Sequence, residues 1–67
     1  MKIFYIIQDI NSKEFYWEWN GSNGFIGNVV EATEYKTKDD AIKGLSNYDD
    51  YLDEEVRTLE IKELYQV

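Results

Sequence analysis

Only one stretch of this sequence, Thr37 to Leu52, carries the spacing of an amphipathic helix. A lone helix has one apolar stripe and covers one face of one sheet, so the fold must be built around that single layer. Thr37 is a good N-cap, and Asp40 three residues later approximates a capping box. Asp39 and Asp40 sit in the first turn, where the helix dipole favours carboxylates. Ala41, Leu45, Tyr48 and Leu52 then recur at spacings of four, three and four, with Ile42 alongside. This predicts a helix of about four turns. Gly44 falls on the opposite, polar side, where it costs about 1 kcal/mol against Ala and marks a place to bend or stop.

The rest of the chain reads as strands. Residues 2–8 are β-branched and aromatic, and the turn-like "DINSK" leads into "EFYWEW", which predicts a hairpin. In that second strand Phe15, Trp17 and Trp19 share one face, while Tyr16 and Glu18 share the other. "NGSNG" holds residues that tolerate positive φ. It either closes a further hairpin onto "FIGNVV" or begins a longer irregular loop. The chain returns as a strand in "VRTLEIKELYQV", with Leu59 and Ile61 on one face. Leu64 falls out of that phase, which predicts a bulge or a strand end. The order is β-β-(β)-α-β. The expected fold is α+β, a small antiparallel sheet of three or four strands with one amphipathic helix on one face, in a single domain over residues 1–67.

The same residues exclude whole classes of chemistry. Without cysteine there are no disulfides or thiolate metal sites, and without histidine the commonest zinc ligand and general base are missing. Ser12, Ser22 and Ser46 fall in turns or on the polar helix face, with no histidine to activate them. A carboxylate pair for glycoside chemistry needs a cleft that so short a chain can hardly enclose. No catalytic residue, metal site or cofactor is expected. Fourteen Asp and Glu against seven Lys and Arg give a net charge of −7. Such a charge disfavours phosphate backbones and anionic membranes and favours cationic partners. Neither a secretory h-region nor a membrane span is evident, so a cytosolic protein is the default.

Two features point to binding. Five carboxylates, Asp49, Asp50, Asp53, Glu54 and Glu55, fall within seven positions. Residues 47–67 hold seven acids and two basic residues, a net of −5, against −2 for residues 1–46. Were the run helical, its i, i+4 like-charge pairs would destabilise it, and acids near a helix C-terminus oppose the dipole. The local fold therefore gains nothing from this charge. Beyond a merely solvated face, the reading is that closely spaced carboxylates imitate phosphates and hold Lys and Arg of a partner. A calcium loop is disfavoured, because the glycine and alternating oxygen ligands are missing. The second feature is the stripe of Phe15, Trp17 and Trp19. Its first assignment is core, but the opening strand is apolar on both faces, and one helix leaves surface for a loop, a dimer mate or a target.

At "GFIGNVVEATEYKTKDDAIKGL", residues 24–45, the chain resembles small proteins of bacteriophages and mobile elements. In these a strand pair precedes an "eA-x-x-y-x-T-k-x-x-A" stretch, then a helix and a last strand. The matching residues are Glu31, Ala32, Tyr35, Thr37, Lys38 and Ala41. The resemblance implies a phage of a low-GC Gram-positive bacterium, acting in the host cytoplasm. It also implies a relation to small acidic inhibitors of CRISPR effectors, uracil-DNA glycosylase or restriction enzymes, many of which copy the charge of DNA. It transfers no catalytic residue. The expectation is a stoichiometric inhibitor of a host nucleic-acid-binding protein, an anti-CRISPR protein first of all, with no direct contact to nucleic acid or membrane. Asp49, Asp50, Asp53, Glu54 and Glu55 would engage basic residues of the target, Asp39, Asp40, Glu31 and Glu34 would extend the negative surface, and Tyr48 or Tyr51 would anchor beside them. The alternative is an interaction module or homodimer using Phe15, Trp17 and Trp19.

Overall fold

The computed structural model describes residues 1–48 and 57–66. Four strands form one antiparallel sheet: β1 (Lys2–Asp9), β2 (Phe15–Trp19), β3 (Ser22–Ile26) and β4 (Leu59–Gln66), in the order β3-β2-β1-β4. Among the described residues, a 3-10 turn at Val29–Glu31 and one helix, α1 (Lys38–Asn47), lie between β3 and β4. This is the α+β arrangement that the sequence predicts.

Each hairpin follows from its turn residues. Asn20 and Gly21 take φ of 53° and 84°, the left-handed pair that a two-residue hairpin requires, so "NGSNG" closes β2 onto β3. Between β1 and β2 the Asp9 carboxylate accepts the Asn11 backbone N–H at 3.0 Å, and Lys13 turns the chain at φ 68°. Buried Gln8 donates its amide to the Lys13 carbonyl at 3.2 Å. At the far end of the sheet β4 pairs with β1 without interruption, from Lys2–Gln66 to Asp9–Leu59. The predicted bulge or break at Leu64 is therefore corrected. Leu64 stands opposite Phe4, on the sheet face away from Ile61, because β1 is apolar on both of its faces.

β1 and β2 pair only at Gln8–Phe15. In continued register Tyr5 would meet Glu18, but residues 33–35 run between them. Tyr35 exchanges both backbone hydrogen bonds with Tyr5 at 2.8 Å. Thr33 takes up β2 instead: its N–H donates to the Tyr16 carbonyl, while its hydroxyl accepts from the Glu18 N–H at 2.7 Å and donates to the Glu18 carbonyl at 3.2 Å. A threonine side chain thus satisfies strand groups that β1 leaves unpaired.

The helix begins as predicted, with the Asp40 N–H bonded to the Thr37 hydroxyl at 3.1 Å. It is shorter than predicted. α1 has ten residues and stops at Tyr48, whose ψ of 127° is extended. Gly44 is also not where its spacing placed it: it is buried, and a Cβ there would overlap the Tyr35 hydroxyl. Its missing side chain lets the helix approach the 33–35 segment. Ala41, one turn earlier, is fully buried, whereas Ile42 is largely exposed. Beneath the helix lies the inner face of the sheet, with Ile7 and Tyr16 buried. Tyr16 packs against Phe25 and Tyr48 at ring separations of 5.5 and 6.0 Å. Each such side chain contributes about 1.5–3 kcal/mol by leaving water. The assignment of Phe15, Trp17 and Trp19 to the core is overturned, since α1 covers the face that carries Tyr16.

Candidate functional site

Strand alternation and register place Phe4, Phe15, Trp17, Trp19, Ile26 and Leu64 together on the outer face, away from α1. Ile6, at its centre, is buried to 1% exposure, but its neighbours are half-buried and Trp19 is 79% exposed. Trp17 lies across Gly24 of the neighbouring strand, its indole occupying the space a side chain there would need. Charges on this face are confined to its β1–β4 half, at Lys2, Glu60 and Lys62; the half formed by β2 and β3 has none. The predicted trio is thus brought onto one surface. Phe4, Ile26 and Leu64 complete it, and only the register could have identified them, because three different strands supply them.

The acidic residues are distributed differently. Asp49, Asp50, Tyr51, Asp53, Glu54 and Glu55 lie outside the described residues. Asp39 and Asp40 are exposed at the first turn of α1. About 12 Å of α1 separates them from Tyr48, after which the run begins. Tyr48 is half-buried in the ring cluster, 5.5 Å from Phe25 edge-on, so its ring serves the inner face. Glu34 is tied to Lys2 at 3.0 Å, and Glu31 stands exposed in the 3-10 turn.

Arg57, at the other end of the run, is held by the sheet. Its guanidinium reaches Asp9 at 3.1 Å and Glu14 at 3.2 Å and stacks 3.8 Å from the Phe25 ring centroid. Burial works against the charge on Asp9, but the N–H groups of Asn11 and Ser12, then the Arg57 guanidinium, outweigh it and hold that carboxyl below its usual range. A second cluster lies under the helix. Tyr35 donates to the Glu18 carboxylate at 2.7 Å; burial first, then that carboxylate, pushes the Tyr35 phenol far up. The Tyr16 hydroxyl is buried with no hydrogen-bond partner among the described residues, and burial together with Glu18 raises it too. At the sheet edge Glu63 accepts from Tyr65 and Tyr5, which keeps its carboxyl low.

Among the described residues no three carboxylates gather to hold a metal ion, and no helix is long and apolar enough to cross a membrane. Comparison with protein families, curated proteins and solved structures finds no match for the chain.

Proposed function

We propose that the chain is a non-catalytic, stoichiometric inhibitor that docks on the basic nucleic-acid-binding surface of a host DNA-handling protein, a CRISPR effector being the first target class. The observation that carries this is the unbalanced charge. No Lys or Arg stands between Gly44 and Val56, so the five carboxylates form a run with no cation inside it. Charge gathered this densely in the sequence suits a cationic partner. The aromatic outer face supports the same reading, because indole and phenyl faces accept Arg and Lys as well as apolar groups.

The test is competition. The protein should capture an identified nucleic-acid-binding protein, duplex DNA should displace it, and the capture should weaken steeply as salt rises. Changing Asp50→Asn, Asp53→Asn and Glu54→Gln together should leave the fold intact and abolish most of the binding. Unchanged inhibition in that variant rules the run out as the contact. The 79% exposure of Trp19 favours one other reading, a homodimer or adaptor held by the outer face. That contact would hardly respond to salt and would ignore added DNA.

A further inference from the structure

β4 pairs with β1 on one side, and among the described residues no strand pairs with its other side. The direction of its free backbone groups follows from β1. Tyr5 exchanges both backbone hydrogen bonds with Tyr35, and the Asp9 N–H donates to the Glu14 carbonyl, so the odd-numbered residues of β1 turn their peptide groups away from β4. Their partners Leu59, Ile61, Glu63 and Tyr65 therefore stand in non-hydrogen-bonded pairs and aim their own N–H and C=O groups outward. We infer that this edge is a self-association surface. β4 of one copy pairs antiparallel with β4 of a second copy about a two-fold axis at Ile61, joining the two sheets into one.

The first reason is how the edge is built. β4 runs eight residues without a break, and the chain has no proline to interrupt it. The opposite edge, β3, is five residues long with a glycine at its centre. Long, regular edges are the ones that accept another strand. The second reason is charge register. A two-fold axis that keeps each face of the joined sheet continuous has to pass through a residue, which then opposes itself. At Glu60, Lys62 or Glu63 that residue would meet its own like charge. At Ile61 it meets another isoleucine, and Glu60 of each copy stands opposite Lys62 of the other. In β4 only the Ile61 axis opposes Glu to Lys. Because Ile61 aims its peptide groups outward, the two Glu60–Lys62 pairs fall at non-hydrogen-bonded positions, where side chains approach most closely. Leu59 opposes Glu63, whose carboxylate is already bonded by the Tyr5 and Tyr65 phenols. Lysine and glutamate on an edge strand ordinarily deter pairing. In this order they attract a strand in that one register. The contact uses neither the aromatic rings nor the acidic run, so it stands whether or not the inhibitor reading does.

The experiment follows sedimentation and amide hydrogen exchange of the whole chain over a roughly hundredfold range of concentration. A dimer should appear as concentration rises, and the amides of Ile61 and Glu63 should gain protection with it. Those of Lys62 and Leu64, bonded to β1, should be protected throughout. Glu60→Lys should weaken the dimer about tenfold although it reduces the net negative charge, and Lys62→Glu should do the same. The two variants mixed should pair with each other at about wild-type strength, since the mixture again opposes acid to base. If either variant fails to keep the wild-type circular dichroism, the amide pattern of the wild type decides alone. A monomer at every concentration overturns the proposal. So does a dimer in which Ile61 and Glu63 stay unprotected, or one that the charge reversals leave unchanged, because either result places the contact elsewhere, on the aromatic outer face first.

Discussion

The two faces of the sheet are equally rich in aromatic and aliphatic side chains, yet they do opposite work. On the inner face Tyr16 and Ile7 are buried, and Gly44, with no side chain, brings the helix close to Tyr35. Its polar groups are almost all engaged, through the Tyr35–Glu18 bond and the Arg57–Asp9–Glu14 cluster. The outer face carries both indoles but, among the described residues, no helix, and one of them, Trp19, is mostly in water. Hydrophobicity alone therefore does not tell which face holds the domain together. Close approach and polar satisfaction do.

Truncation under the helix should cost most. Tyr16→Ala removes the ring at the centre of the Phe25–Tyr48 cluster and should destabilise by about 3–5 kcal/mol. A domain of this size has little more than that in total, so the variant should show no cooperative thermal transition. Tyr16→Phe sharpens the point. It keeps the ring and discards a hydroxyl without a partner, and should melt at or above the wild-type temperature.

Next comes the ion cluster. Arg57→Met leaves the Asp9 carboxylate buried without its cation and should cost about 3 kcal/mol at neutral pH. The pH dependence has a definite sign. Asp9 has a folded-state value below the ordinary 3.8, so its stabilising effect is complete above the unfolded value and is lost as pH falls through the folded one. Acid titration followed by circular dichroism should show wild type holding its fold to lower pH than Arg57→Met. Coincident acid midpoints would show that the cluster contributes nothing.

How far this division could be read from the sequence is shown by particular residues. Alternation correctly set Phe15, Trp17 and Trp19 on one face and Tyr16 and Glu18 on the other. It could not say which face the helix would take, because that depends on where Tyr35 and Thr33 enter between β1 and β2, a long-range matter. The Thr37 cap was legible because it acts within four residues, whereas Asn20-Gly21 marked a turn without separating a hairpin from a longer loop. Leu64 looked out of phase only because β1, its pairing partner, is apolar on both sides. The helix stripe was read past Tyr48, where the backbone turns extended, and its last member, Leu52, lies outside the described residues. Of the candidate site residues, the aromatic trio was recovered as a surface, but Phe4, Ile26 and Leu64, which complete it from three other strands, join it only once the backbone pairs.

Gly44 offers a smaller test of the same contrast. At an ordinary helix position Gly→Ala gains about 1 kcal/mol. Here the added methyl meets the Tyr35 ring and hydroxyl, so Gly44→Ala should instead lose about 1–3 kcal/mol. Pairing it with Tyr35→Ala, which vacates that space, should restore much of the helix gain. A double-mutant cycle in urea measures the coupling. If Gly44→Ala alone stabilises, the helix is not seated against Tyr35, and close approach is not what defines the inner face.

The smallest expected change in stability belongs to the largest exposed ring. Trp19→Ser removes an indole that is 79% in water, at the end of a hairpin whose turn is set by Asn20 and Gly21 rather than by that side chain. Its thermal midpoint should correspond to a change within about 0.5 kcal/mol. Solubility should improve, because an apolar patch is reduced. A loss comparable to Tyr16→Ala would mean that Trp19 closes over the outer face and acts as a lid on Ile6, making that face a second core and leaving it unable to receive a partner. A neutral result together with weakened binding separates the two faces by function: one keeps the monomer folded, and the other is retained for contact at the expense of exposure to water.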